Sequence, residues 1–334
     1  MSERVLITGG AGYIGSHTSY ACLDEGLDVV IIDDLSTGVE HAIPPQATFV
    51  RGDVSDRSLL KKVLTDQKIT AVMHFAGRIV VPESVENPIK YYQENTATSL
   101  GLLAEMVDAD IGTILFSSTA AVYAPDPAGA ALGEDATKLP LSPYGQSKLM
   151  TEAMIRDVGI AHGLQAGILR YFNVAGADPE GRVGQSTPNA THLLKIASQV
   201  ATGKRPFMEV YGEDYDTRDG TCIRDYIHVS DLAAAHVETL KHVLSAGGQV
   251  TMNCGYGRGA TVKEVIAAAE AVTGSQIDAR PAPRRAGDAP VLVSDNTKIK
   301  ETLPGWVPQH DTLEAMAKSA IAWEEKLKTL NSSR

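Results

Sequence analysis

A glycine-rich turn near the N-terminus constrains this chain more than any other feature. The apolar run Val5-Leu6-Ile7 suits a buried strand, and Thr8 is followed by Gly9-Gly10-Ala11-Gly12-Tyr13-Ile14-Gly15. A first glycine can take the positive φ of a tight turn. Another lets a pyrophosphate approach the backbone, and the last lets a helix pack on the strand. The N–H groups that open the helix then face the anion. Two residues rather than one separate Gly9 from Gly12, so the turn departs from G-x-G-x-x-G. Such a turn alone is compatible with a plain loop, but between a strand and a helix it points to a bound dinucleotide.

Asp33 narrows the ligand. It lies 18 residues after Gly15, at the end of the apolar run Asp28–Asp33. A carboxylate there accepts hydrogen bonds from adenosine ribose hydroxyls and repels a 2′-phosphate, which favours NAD over NADP. The bland alternative is that Asp33-Asp34 ends a strand in a turn. Asp53, in Arg51-Gly52-Asp53-Val54 after a third apolar run, is suitably placed for the adenine edge.

Short apolar runs alternate with helical stretches through the first half of the chain. Strands are expected at Arg4–Thr8, Asp28–Asp33, Ala47–Arg51, Ala71–Phe75, Thr113–Ser117 and Gln165–Tyr171. Helices are expected over 14–25, 56–67, 88–108 and 143–162. Nearly continuous apolar runs suit strands buried on both faces of a parallel sheet. The alternation predicts an α/β fold, a doubly wound parallel Rossmann sheet with ligands at the carboxyl ends of its strands.

After about Asn173 the rhythm breaks. Residues 174–190 read as a loop, followed by helix 191–203, strand Phe207–Tyr211 and a polar loop over 212–222. Strand Ile223–His228 opens a helix near Ser230, and strand Val250–Cys254 precedes helix 261–273. A basic segment, Arg280–Ala289, leads to a last amphipathic helix over 310–329. The expected division is a dinucleotide-binding domain over 1–173, with re-entrant segments near 223–254. A smaller, discontinuous α/β substrate-binding domain takes 174–334.

Composition excludes several classes. With 334 residues, 43% of them apolar and 21% charged, the chain can bury a substantial core, and neither disorder nor a fibre is expected. A formal charge of −11 argues against general binding of nucleic acid or a membrane surface. An anionic ligand then needs a local arginine cluster or exposed backbone N–H groups. Cys22, Cys222 and Cys254 show no metal-ligand spacing and read as buried small hydrophobes in a reducing compartment, so no metal is expected. The strand-like start and the lack of a run of roughly 20 apolar residues predict a soluble cytoplasmic protein.

A second constellation carries chemistry. Ser142-Pro143-Tyr144-Gly145-Gln146-Ser147-Lys148 has a good N-cap and a good first helical residue, so Tyr144 and Lys148 share one helical face. A free phenol has a pKa of about 10, and work as a base near pH 7 requires roughly 4 kcal/mol of phenolate stabilisation. A nearby ammonium and a positive nicotinamide ring favour the charged form. Thr119, 25 residues earlier, follows the strand in Phe116-Ser117-Ser118-Thr119-Ala120-Ala121-Val122-Tyr123 and completes a proton-relay arrangement.

With these residues in place the chain resembles the extended short-chain dehydrogenase/reductase family and, within it, the UDP-glucose 4-epimerases. The likeness runs nearly end to end. It is carried by Thr8–His17, His74-Phe75-Ala76-Gly77, Glu83-Ser84-Val85, Ser142–Lys148 and Leu169-Arg170-Tyr171-Phe172-Asn173. Further carriers are Arg224-Asp225-Tyr226-Ile227-His228-Val229 and Pro283-Arg284-Arg285-Ala286-Gly287-Asp288.

The resemblance implies that NAD stays bound. Its neighbours would be Gly9, Gly12, Tyr13, Ile14, Gly15, Asp33, Asp53, Val54, Phe75, Ala76, Gly77, Asn95, Lys148 and Phe172. It implies that Tyr144 takes the proton from the sugar 4-hydroxyl while hydride leaves C4, and that Thr119 bridges hydroxyl and phenol. Asn173, His192, Leu193, Arg224, Arg285, Asp288 and Leu292 match UDP-sugar contacts. Tyr211 falls where an aromatic residue lies against uracil. A UDP-sugar substrate and a homodimer follow from the same likeness. Two arginines make physical sense for a diphosphate in an acidic protein.

The chain also departs from its resemblance. Relatives that dehydrate the sugar carry Asp-Glu after the strand-end hydroxyl, where this chain has Ala120 and Ala121, which argues against a dehydratase. Ile79 stands where some epimerases have lysine, with Arg78 beside it. His192 stands where some have asparagine, and it also suits a plain helix start. Leu292 stands where some have a bulky tyrosine, and a smaller residue there would admit an N-acetyl group. Competing readings are another NAD-dependent UDP-sugar enzyme, a decarboxylase or oxidoreductase, and a non-catalytic dinucleotide-binding protein. The second would be expected to lose Tyr144 or Lys148, and both are present.

Overall fold

The computed structural model describes residues 3–187, 190–285 and 288–332. The first half runs β1 (Arg4–Thr8), α1 (Tyr13–Asp24), β2 (Asp28–Asp33), β3 (Thr48–Arg51), α2 (Arg57–Asp66) and β4 (Ala71–His74). It continues with α3 (Val81–Glu86), α4 (Pro88–Tyr91), a π-helical turn (Tyr92–Ala97), α5 (Thr98–Asp108), β5 (Thr113–Thr119), α6 (Pro143–His162) and β6 (Gln165–Tyr171).

The second half contains β7 (Asn173–Ala175), α7 (Leu193–Ala201), β8 (Met208–Tyr211), β9 (Ile223–His228), α8 (Val229–Ala246) and β10 (Gln249–Cys254). After these come β11 (Gly259–Thr261), α9 (Val262–Thr273), β12 (Ala279–Ala282), β13 (Val291–Leu292), α10 (Thr297–Thr302) and α11 (Leu313–Ser332).

Seven strands form one sheet in the order β10-β6-β5-β4-β1-β2-β3, every neighbouring pair parallel. The chain reverses its direction of travel across β1, so a crevice opens there at the carboxyl ends of β1 and β4. Alternate residues of each strand serve opposite layers. Leu6, Val30, Ile32, Val72, Ile114 and Phe116 pack under α2 and α5, against Leu60, Leu64, Leu102 and Met106. Val5, Ile7, Val29, Ile31, Met73 and Leu115 face the other way, against Cys22 of α1 and Val237 and Leu240 of α8. Burying a side chain of this size stabilises by roughly 1.5–3 kcal/mol, so the sheet is anchored from both faces.

A second lobe stands over the carboxyl ends. Its strands run β11-β9-β13 with β7 on β9, and β8 pairs with β12. Leu194, Ala197, Val265, Ile266, Met316 and Ile321 from α7, α9 and α11 supply its core. All three cysteines are buried and free. No helix among the described residues is long and apolar enough to cross a membrane.

Several expectations from the sequence need correction. The helix expected over 88–108 is interrupted by the π-helical turn, whose extra residue per turn lets Asn95 point inward. The segment expected as loop from 174 begins inside a strand, because Asn173, Val174 and Ala175 pair with Tyr226, Ile227 and His228. The basic segment from Arg280 begins inside β12. β9 pairs with β7, β11 and β13, and β10 returns the chain to the edge of the large sheet. Of the basic motif, Ala286 and Gly287 lie outside the described residues, and of the 174–190 stretch so do 188 and 189.

Candidate active site

The glycine turn has no room for side chains. Gly9 has φ of +71°, and a Cβ there would stand 2.7 Å from Ala76 N. A Cβ on Gly15 would stand 2.3 Å from the Gly9 carbonyl oxygen, which already accepts the Gly12 N–H at 3.1 Å. Gly12 caps α1 without any side-chain bond, and the first turn holds no acidic residue. The N–H groups that a first helical turn leaves unpaired are therefore open to an anion, and the residues present fit a dinucleotide pyrophosphate.

Asp33 supports this turn as well as facing the crevice. One carboxylate oxygen accepts Ala11 N–H at 2.9 Å and the other Leu35 N–H at 2.8 Å. Burial pushes its carboxyl up, and the two N–H donors oppose that. Each oxygen keeps a lone pair for a ribose hydroxyl. Asp53 lies exposed at the end of β3, taking the Ser55 N–H at 2.8 Å, while Val54 beside it is buried in the core.

The floor beyond β4 is fixed by a relay of hydroxyls and imidazole. Thr8 Oγ1 bonds His74 Nδ1 at 2.7 Å and accepts the Ala76 N–H at 3.3 Å. His74 Nε2 bonds Ser99 Oγ at 2.9 Å, and Ser99 donates to the Asn95 carbonyl at 2.6 Å. Burial drives His74 down to about 3, so it is neutral here. Asn95 accepts Arg78 N–H at 2.7 Å and donates to the Arg78 carbonyl and Ser147 Oγ, both at 3.0 Å. A Cβ on Gly77 would stand 2.9 Å from the Asn95 amide oxygen and 3.9 Å from Lys148 Nζ. Phe75 packs its ring 4.9 Å from His236. The structure thus brings Gly77, Asn95 and Lys148 together, with Ala76 on the same side of the sheet, while Phe75 packs on the other side against α8.

α6 begins as its sequence predicts, with Ser142 Oγ accepting the Gly145 N–H at 3.2 Å and Pro143 in the first turn. A Cβ on Gly145 would stand 2.2 Å from the Ala121 carbonyl oxygen, so α6 meets the end of β5 backbone to backbone. That approach sets the Tyr144 phenol beside the Thr119 hydroxyl, which favours its charged form. Thr119 Oγ1 also accepts the Ala121 N–H at 3.1 Å, which leaves its own proton for the phenol. Burial raises Tyr144 and the Thr119 hydroxyl lowers it. Lys148, 3% exposed, donates to the Ser117 carbonyl at 3.0 Å, with its ammonium 4.8 Å from the Phe116 ring centre. Burial pushes it down to about 8, and Glu152 opposes that.

Residues expected at the sugar form a second cluster. The Arg285 guanidinium stacks 4.8 Å from the Tyr211 ring centre and donates to Asp288 at 2.9 Å. Arg224 stands 3.5 Å from the other Asp288 oxygen and donates to the Ile223 and Ala289 carbonyls at 2.9 and 2.8 Å. Leu292 pairs with Arg224 across β13 and β9 and packs on the cluster that contains Phe172. Asn173 opens β7 opposite Tyr226.

The lobes meet at Tyr13. Its hydroxyl donates to the Gly176 carbonyl at 2.7 Å, and its ring meets that of His192 at 6.1 Å. His192 caps α7, with Leu193 as first helical residue, and its Nδ1 accepts from Gln185 at 3.3 Å. Burial lowers its pKa and Lys195 adds to that. Ile14 lines the same seam. Sequence reasoning missed Ser117, Ser118, Glu152 and Arg170. Glu152 left a signal one helical turn beyond Lys148 on the same face, and Arg170 lay within a motif that carries the resemblance.

Comparison with known proteins agrees with this geometry. A UDP-glucose 4-epimerase of Azospirillum brasilense is 57% identical over 98% of this chain and 93% of its own length. The crystal structure of a UDP-glucose 4-epimerase from Brucella ovis, in complex with NAD, superposes with a TM-score of 0.92 at 39% identity, covering 96% of this chain and 98% of that one. The UDP-Glc/GlcNAc 4-epimerase of Campylobacter jejuni has a TM-score of 0.84 at 42% identity, covering 97% and 100%. Residues 5–255 match the NAD dependent epimerase/dehydratase family, and the chain belongs to it.

Proposed function

We infer that the chain reversibly inverts C4 of UDP-glucose and UDP-galactose by transient oxidation to a 4-ketose. The observation that carries this is the buried helix face that Tyr144 shares with Lys148, set against the end of β5 where Lys148 donates to the Ser117 carbonyl at 3.0 Å. NAD, which the glycine turn and Asp33 would hold, would supply a reversible acceptor for the C4 hydride. Tyr144 accepts the 4-hydroxyl proton and returns it. Thr119 donates to the phenol oxygen and so favours phenolate, as does the Lys148 ammonium. Ala120 is buried in a short turn with Ala121, and neither can expel a hydroxyl as an acid.

The first domain, 1–173 with the re-entrant segment, holds the cofactor through Gly9, Gly12, Gly15, Asp33 and Asn95. The second, 174–334, holds the nucleotide sugar. Arg224 and Arg285, oriented by Asp288, take the diphosphate, and Tyr211 lies against the base. Asn173, His192 and Leu193 flank the substrate, and Leu292 bounds the sugar pocket. Three buried free thiols suit a reducing cytoplasm.

The test is incubation with a panel of UDP-sugars and no added NAD, with products identified by NMR. UDP-glucose and UDP-galactose interconvert, and UDP-N-acetylglucosamine is turned over measurably as well. No interconversion without added cofactor would overturn retained NAD. Complete inactivity on the acetylated sugar, with normal activity on UDP-galactose, would overturn the role given to Leu292.

A homodimer is the expected assembly. Val81, Val85, Ile89, Leu100 and Met150, from α3, α4, α5 and α6, are exposed on elements that pack side by side. A second copy covering them by a two-fold axis removes this apolar face from water. Light scattering should give two chains per particle, and Val85→Glu with Ile89→Glu should give one. An unchanged mass in the double variant would place the interface elsewhere.

A further inference from the structure

The last three residues of β5 each hold a different turn of α6. The Ser117 carbonyl accepts from Lys148 Nζ at 3.0 Å, Ser118 Oγ donates to Glu152 Oε1 at 2.5 Å, and Thr119 stands beside the Tyr144 phenol and favours its charged form. Tyr144, Lys148 and Glu152 are spaced by four and lie on one helical face. Ser118 and Arg170 are cross-strand neighbours in β5 and β6. From there Arg170 donates through Nε to Glu152 Oε1 at 2.9 Å and through Nη2 to Oε2 at 2.6 Å. Its Nη1 reaches the Tyr123 hydroxyl at 2.8 Å and the Glu134 carbonyl at 3.1 Å. Glu152 and Arg170 are each 5% exposed.

Stability alone does not account for this pair. An apolar pair of similar volume usually serves a core as well as a buried ion pair does. What an apolar pair cannot supply is a negative charge one turn from a buried ammonium. We propose that Glu152 is a positioning residue for proton transfer: clamped by Arg170 and Ser118, it fixes the rotation of α6 and holds Lys148 as an ammonium beside Tyr144. This rests on the reading of Tyr144 and Lys148 given above.

The groups that face this pair are few. Arg170 and Tyr171 come from β6, Tyr123 from the turn after β5, His74 from β4 and Tyr144 from α6 itself. Glu134 takes the Asn253 N–H with its carboxylate at 2.7 Å. Burial keeps His74 neutral, down to about 3, and raises Tyr123 to about 12 and Tyr171 further, so those three are uncharged near neutral pH. Arg170 is a cation. Glu152 is therefore the charged group that favours the Lys148 ammonium, alongside the Ser117 carbonyl that accepts from Nζ at 3.0 Å. Without it the lysine loses its proton at lower pH, and the alkaline fall in turnover moves down.

The experiment uses the holoenzyme, with kcat and KM followed across neutral and alkaline pH. Glu152→Gln is expected to lower kcat on the order of tenfold, to leave KM within about twofold, and to move the alkaline limb down by roughly one pH unit. Glu152→Gln with Arg170→Gln removes the stranded guanidinium as well and should move the limb the same way but by less. Glu152→Asp keeps the charge on a shorter arm, so the limb returns toward the parent position while kcat stays low. Folded variants with a lower melting temperature but an unmoved limb would reduce Glu152 to a structural role and overturn the proposal. Tyr144→Phe is the control: turnover persisting there overturns the catalytic reading itself, whereas loss there with an unmoved limb in Glu152→Gln overturns this inference alone.

Discussion

Tyr144→Phe is expected to lower kcat for UDP-galactose on the order of 10³-fold while the purified protein still carries its NAD. The substitution keeps the ring, which packs edge-on against Tyr91 at 6.5 Å, and removes the single oxygen that stands beside Thr119. Losing one buried polar contact costs about 1 kcal/mol of stability, too little to unfold a chain of this size. The effect therefore falls on chemistry. A stopped assay gives turnover, and NAD released by denaturation gives occupancy. Activity within tenfold of the parent would remove Tyr144 from the mechanism, and loss of NAD would make its role architectural.

The parts of this site that sequence makes legible are those contained in one strand, turn and helix. Gly9 to Gly15 and Tyr144 to Lys148 are each local, and their spacing maps directly onto a helix start and a helix face. The strands of the large sheet are legible for a related reason, since burial on both faces leaves uninterrupted apolar runs. β7, with three residues, and β12, with Pro281 and mostly exposed side chains, carry neither signal. The π-helical turn is hidden as well, because a single extra residue barely disturbs a helical pattern. Residues joined by sheet register are silent until the sheet is built. Arg170 meets Glu152 only because Ser118 and Arg170 are paired across strands, and Asn95 meets Gly77 only through the π-helical turn. Asp33 is legible as the acidic residue that ends its strand, but its bond to Ala11 depends on a turn geometry that spacing does not specify.

The other large effect is expected at Gly15. A methyl group there would stand 2.3 Å from the Gly9 carbonyl oxygen and 3.0 Å from Gly10 Cα, both backbone atoms that no rotamer change can move. Either the turn opens, breaking the Gly12 to Gly9 bond of 3.1 Å, or α1 backs away from β1. The second move is resisted by packing of α1 against α8 and by the Tyr13 bond to Gly176. Both moves displace the first-turn N–H groups that would hold the pyrophosphate. Overpacking of this kind costs about 1–3 kcal/mol in the protein itself. Loss of a ligand present at about a thousand times its Kd removes roughly another 4 kcal/mol. Gly15→Ala should therefore purify with less than about a tenth of the parent NAD content and melt well below the parent, by more than overpacking alone explains. Gly112→Ala is the matched control, since a Cβ there meets nothing within 4 Å. Cofactor quantitation and thermal unfolding read both outcomes, and parent-level NAD in Gly15→Ala would mean that the dinucleotide is not held at this turn.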